Sequence, residues 1–296
     1  MSDPPTPVAP SEKPALWRGA WPAAAILAVA LAWSFAGTLA GLWRDWGSDD
    51  NYSVGALVPI AALLILWIQR DRFAGSSVRV CWWGAGVVLA GQALRFFGVV
   101  FLFESAERYA LWLTVVGLVL WLTGPTVTWR ARWVLLFLLL GVPLPGRVHN
   151  AISGPLQSVA TRGAVVGLEM LGVTVLRQGN VVVLNDEVPV AVAEACSGLR
   201  LLTAFAVVTA VMAFLVRRPV WQKAVVLVSC VPIAVVCNVL RLTVTAMLFL
   251  VVEGETAEWF FHDCAGFFMM PLAVGAVFLE FWVLSKLVRT DSGTGN

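Results

Sequence analysis

A thiol, a guanidinium and an imidazole stand out in a chain otherwise short of reactive polar groups. Cys196 lies in "VAEACSGLRLLTAF" (192–205), where a carboxylate, a serine and a glycine accompany it at the mouth of an apolar run. Arg241 lies inside a second apolar run, and His262 follows "EGETAEWFF" at the start of a third. These three types support nucleophilic acyl chemistry. A thiolate attacks a carbonyl, and a neighbouring imidazole or cation lowers the thiol pKa. The imidazole can then protonate a leaving amine, while the guanidinium holds a developing oxyanion or grips a carboxylate through two hydrogen bonds. Cys264 rivals Cys196 on position, although residues two apart on a helix point to different faces. Cys81, Cys230 and Cys237 read as small packing residues. Of the two histidines, His149 follows "GVPLPGR" in a loop and His262 opens a helix; position alone tilts only slightly to His262.

The elements that must carry these groups are membrane helices. The chain has 296 residues, 59 % hydrophobic and 13 % charged, with a mean hydropathy of +0.84. Soluble domains are about half apolar and a quarter charged, so the balance points to a membrane protein. Fifteen tryptophans suit headgroup boundaries. A net charge of +2 gives no sign of a nucleic-acid partner. The five cysteines show no CxxC spacing, which argues against a disulfide framework or a zinc site, and no metal or other cofactor is expected.

Eight runs are long enough to be transmembrane helices: 21–43, 52–69, 80–103, 109–128, 131–145, 197–216, 222–252 and 259–287. The fifth is short and ends at "GVPLPG"; the seventh contains Pro232, a kink site. The loops alternate in charge. Arg70, Arg72 and Arg79, then Arg130 and Arg132, then Arg217, Arg218 and Lys223, then Lys286 and Arg289 form a basic set. Asp45, Asp49 and Asp50, then Glu104 and Glu107, then Glu253, Glu255 and Glu258 form an acidic one. The basic set belongs in the cytoplasm, which puts both termini there. Cys196 and His262 then sit at outer helix ends. Arg241, about 28 Å along its helix at 1.5 Å per residue, reaches a similar depth. Arg95 reads as an ion-pair partner more than a substrate contact, and Glu280 as a residue that snorkels or pairs near the inner end.

Residues 146–196 form an outer segment. Its first part has helical apolar spacing and reads as a helix lying in the interface or packed on the bundle. Its second part, "TVLRQGNVVVLNDEVPVAVAEA", reads as a small β-hairpin about "NDE", leading into Cys196. The expected fold is therefore an all-α polytopic membrane protein of about eight transmembrane helices, with an interfacial helix and a small extracytoplasmic β-hairpin before the sixth span. Residues 1–15, rich in proline, read as a disordered cytoplasmic tail, 16–290 as one membrane-embedded domain and 291–296 as a second disordered tail.

The blocks "EACSGLR" (194–200), "NVLRLT" (238–243) and "HDCAG" (262–266) resemble the three signature blocks of the exosortase/archaeosortase family, in the order Cys, Arg, His. "PLP" at 143–145, "LQ" at 156–157 and "NYSVGALVPIAALLILWIQR" at 51–70 are similar to other stretches of that family. The resemblance spans roughly 50–270. It implies a membrane-embedded cysteine endopeptidase and transpeptidase with Cys196, Arg241 and His262 as catalytic groups, preferring His262 to His149 and Cys196 to Cys264. It also implies partners: exported proteins ending in a short motif such as Pro-Glu-Pro, a transmembrane helix and a basic tail, processed at the outer face of the inner membrane, with membrane lipids around the bundle.

Five neighbours have supporting readings. Glu194 can orient the loop, pair with a cation or contact substrate. Ser197 can cap the sixth span, whose N-terminus favours a thiolate. Gly198 permits close approach of substrate backbone. Arg200, one helical turn beyond Cys196, can support the thiolate or hold Glu194, and Asn238 can orient Arg241. Two other classes compete: a transporter or assembly subunit whose polar residues line a path, and a membrane acyltransferase using Cys196 as acyl carrier. The first lacks the repeated halves common in transporters; the second commonly exposes its motif to the cytoplasm, whereas Cys196 is expected outside.

Overall fold

The computed structural model describes residues 16–76, 78–179, 181–185, 188–191, 198–216 and 218–251, with 271, 274–280, 282–283 and 286 from the last apolar run. Two compact units are distinguished, residues up to Gly41 and residues from Leu42 onward. The first unit carries α1 (Leu16–Ser34) and the opening of α2 (Ala36–Ser48). All that follows belongs to the second.

The chain is mostly helical. After α2 come a 3-10 turn (Ser53–Ala56) and α3 (Leu57–Ile68), then α4 (Trp82–Val100), α5 (Glu104–Thr123) and α6 (Pro125–Phe137). Next follow α7 (Gly146–Met170), three strands, α8 (Leu199–Leu215) and α9 (Val220–Val251). Residues 274–280 of the last run are also helical. Among the described residues α4, α5 and α9 are each long and apolar enough to cross a membrane; the number rises to five if each of two bent helix pairs counts as one span. One such pair is α6 with α7, bent by 81°. Helices Ser53–Ile68 and Leu199–Leu215 are apolar but shorter. Every described apolar run thus contains a helix, while eight full-length spans are not established.

Small residues set the closest contacts. Gly84, Gly91 and Gly98 recur every second turn of α4 and face α5. A Cβ at Gly84 would run into the backbone nitrogen of Trp121, so the two backbones touch where no side chain intervenes. A second core joins Val58, Ala62 and Ile65 of α3, Val134 and Phe137 of α6, and Ala204 and Val207 of α8. Leu201 and Phe205, on another face of α8, pack with Cys230, Ala234 and Cys237 of α9. Two buried cysteines accordingly serve as apolar filling, as their surroundings suggested.

Among the described residues the two charge sets gather at different ends of these helices. At one end Arg130 Nη1 donates to the carbonyl of Arg72 (2.8 Å) and to Ser76 Oγ, and Gln69 Nε2 donates to the carbonyl of Phe214. At the other end Arg108 Nη2 lies 2.7 Å from both Asp45 and Glu104, and Trp46 Nε1 donates to the carbonyl of Gly141 (2.9 Å). Helices α3 and α8 therefore run parallel, both starting at the acidic end.

The strands Val175–Gln178 (β1), Val181–Leu184 (β2) and Val188–Ala191 (β3) form an antiparallel meander in the order β1-β2-β3. The hairpin about "NDE" is β2–β3. A preceding strand enlarges it, because Gly179 (φ +66°) supplies a second turn that the valine-rich pattern masks. Val182 and Leu184 alternate inward onto Ala160, Ala164 and Leu168 of α7 and Leu242 and Ala246 of α9. Of the two placements open to α7, the structure has it packed along α9. Gly163 and Gly167, one turn apart, face Val239 and Thr243.

Candidate active site

Gly198 is where two of the three blocks meet. It precedes α8 in the left-handed region (φ +86°), which glycine adopts without the Cβ penalty other residues bear. A Cβ there would stand 2.8 Å from Asn238 Nδ2 and 3.1 Å from its Cγ. The residue two beyond Cys196 is thus in contact with the residue one helical turn before Arg241. Both α9 groups are deeply buried, Asn238 at 1 % exposure and Arg241 at 7 %. A charged guanidinium at that depth is costly unless it has work or partners.

Asn238 and Gly198 belong to a small cleft. It is completed by Leu156 and Ala160 of α7, Leu202 of α8, and Ala234 and Val235 of α9. Three elements build it, and each owes its position to local chemistry. The α7 face reaches α9 through glycines and alanines, and α8 begins at a residue that turns the chain left-handed. On α9, Thr243 Oγ1 and Thr245 Oγ1 donate to the carbonyls of Val239 and Arg241, at 2.9 and 2.8 Å. These bonds satisfy the hydroxyls within the helix where water is scarce.

Arg200 lies in the first turn of α8. Its Nη1 pairs with Asp50 at 3.0 Å. Thr203 Oγ1 donates to the carbonyl of Asn51, also at 3.0 Å. The adjacent Tyr52 hydroxyl is hydrogen-bonded to His149 Nδ1 at 2.8 Å and accepts the Leu144 N–H at 3.3 Å. Spacing did not single out Asp50, Asn51, Tyr52 or Thr203 as a group. Their one signal was that "NYS" stands in an acidic loop and opens a stretch with a family resemblance.

The remaining candidates divide simply. Glu194, Cys196, Ser197, His262 and Cys264 lie outside the described residues. Glu280 accepts a hydrogen bond from Ser229 Oγ of α9 at 2.6 Å, a pairing its depth suggested. His149 is held at the start of α7, on the same helical stripe as Leu156 and Ala160 (spacings of seven and eleven).

A family model described as transmembrane exosortase matches residues 46–279. The chain belongs to the transmembrane exosortase family. The match covers most of the chain and contains all three blocks, the Asp49–Ser53 turn, α7 and the small sheet; α1 lies before it. No curated protein and no solved structure matches the chain. Membership makes this a membrane protein in which the Gly198–Asn238 junction belongs to the exosortase region.

Proposed function

We propose that this exosortase is an inner-membrane cysteine endopeptidase and transpeptidase with eight spans, both termini cytoplasmic and its site at the outer face. Its substrates are exported proteins ending in a short motif, a transmembrane helix and a basic tail. The observation that carries the reading is the contact of Gly198, two residues beyond Cys196, with Asn238, one helical turn before the buried Arg241. A basic substrate tail would stop in the cytoplasm, leaving the scissile bond near the outer surface.

In the reaction the Cys196 thiolate attacks the scissile carbonyl carbon, and the oxyanion that forms is held by the Arg241 guanidinium. His262 gives its proton to the leaving amine as the C–N bond breaks, leaving a thioester on Cys196. An acceptor amine, or water, then attacks the thioester. His262 takes the acceptor's proton and the Cys196 thiolate departs. Gly198 leaves room for substrate backbone, Asn238 orients Arg241, and the N-terminus of α8, whose N-cap is Gly198 and not Ser197, favours the thiolate. Glu194 orients the loop. Removing an oxyanion donor costs about 10²- to 10³-fold in rate, so loss of the Arg241 guanidinium should slow processing by that factor.

The test is substrate size. Co-expression with a cognate sorting-signal protein should give a shortened product with the natural chain and none with Cys196→Ala. Undiminished shortening by Cys196→Ala overturns the mechanism.

A further inference from the structure

The strongest unexplained feature is the Asp49–Ser53 turn, which reaches two helices that are distant in sequence. Three successive residues each make a long-range contact. Asp50 pairs with Arg200, the Asn51 carbonyl accepts from Thr203, and Tyr52 bonds to His149 and the Leu144 N–H. The turn is itself braced, since Asn51 N–H and Nδ2 both donate to Asp49 Oδ1 at 2.9 and 3.1 Å, and Tyr52 N–H to the Asp49 carbonyl at 3.0 Å. One arm therefore holds the first turns of α8, four and seven residues beyond Cys196. The other holds the start of α7, whose Leu156 and Ala160 line the cleft beside Gly198.

Resting on the cysteine-peptidase reading, we propose that this turn is a clasp that positions the start of α8, and with it the Cys196 thiol, against α7 and α9. Asp50, Arg200 and Thr203 are its positioning residues. The need for it is local. Gly198 stands at the N-cap of α8 with no side chain to cap the helix. Its contact with Asn238 holds one side of the helix start and the turn holds another, where near-attack geometry tolerates little displacement. The ion pair is partly solvated, with Arg200 34 % and Asp50 60 % exposed. Exposed pairs add little to overall stability, so losing this one should move the thiol without unfolding the protein.

The experiment uses the full chain in lipid nanodiscs with a sorting-signal substrate. It compares Asp50→Asn, Arg200→Gln, Thr203→Val and the charge swap Asp50→Arg with Arg200→Asp. Two quantities are read: the processing rate per folded enzyme, and amide hydrogen exchange over residues 202–205. Each single variant should slow processing by about three- to tenfold and speed exchange there, with an unchanged melting temperature. The swap should return both quantities to within about twofold of the natural chain. Wild-type rates in Asp50→Asn and Thr203→Val overturn the clasp, as does slowed processing with unaltered exchange. A swap as slow as Arg200→Gln also overturns it, because Arg200 would then act by itself. Thr203→Val, nearly isosteric, carries the test where a charge variant fails to fold. Cys196→Ala in the same assay separates the two ideas: undiminished processing removes the cysteine reading, while the exchange measurement still decides the clasp.

Discussion

Gly198 shows how one backbone angle can decide a site. At φ +86° a Cβ costs about 1–2 kcal/mol through the left-handed conformation itself, and here it would also press on Asn238. Gly198→Ala should therefore lower the melting temperature of the detergent-solubilised protein and reduce substrate processing together. A variant with natural stability and natural activity would show that neither the angle nor the contact matters. The sequence singled out this glycine as space for substrate; the structure adds that the space is already shared with an asparagine of α9. Arg200 teaches the complementary lesson. Four-residue spacing put it on the face of Cys196; the structure adds a partner that helical spacing does not suggest, Asp50, which pairs with its guanidinium at 3.0 Å.

Among the elements, α7 was the hardest to place from sequence. Its apolar stripe is mixed with Arg147, Asn150, Gln157 and Arg162, a pattern that suits an interfacial helix and a packed one alike. The deciding residues are small. Gly163 and Gly167 let the α7 backbone settle on Val239 and Thr243, and glycine carries no hydrophobicity signal to announce such a contact. Gly163→Val should wedge the two helices apart, since its Cβ would meet Val239 at 2.6 Å, and should cost about 1–3 kcal/mol as overpacking. Gly154→Ala on the same helix, where a Cβ meets nothing within 4 Å, should be neutral or stabilising by up to about 1 kcal/mol. Thermal unfolding of the two variants side by side checks both. Equal melting temperatures would mean that α7 does not bear on α9 through this face.

At the scale of the molecule, the charge sets of the described residues sort by end, and the basic end carries arginines stacked on tryptophans. Arg132 lies 4.2 Å from the ring centre of Trp129 and 5.1 Å from that of Trp133, and Arg70 lies 5.1 Å over Trp67. Cations stacked on exposed indoles suit a headgroup layer. The acidic end holds the Gly198 junction and the clasp. If the basic end faces the cytoplasm, an impermeant maleimide should label Cys196 in intact spheroplasts, while a cysteine introduced at Ser76 should react only after permeabilisation. The reverse pattern would turn the molecule over and remove the sorting-enzyme reading.

The sequence by itself determined the class of protein, the apolar runs, the separation of acidic from basic loops, and the blocks that carry the family resemblance. Each of these is a local or compositional property: an apolar run must form a helix in lipid because its backbone has no other partner there. The tertiary structure alone decided which faces meet. It seated α7 on α9, lengthened the hairpin to three strands, brought Gly198 against Asn238, and tied Asn51 to Thr203 across 152 positions. Such pairings depend on the shapes left when several helices pack at once, and no window of neighbouring residues contains that information.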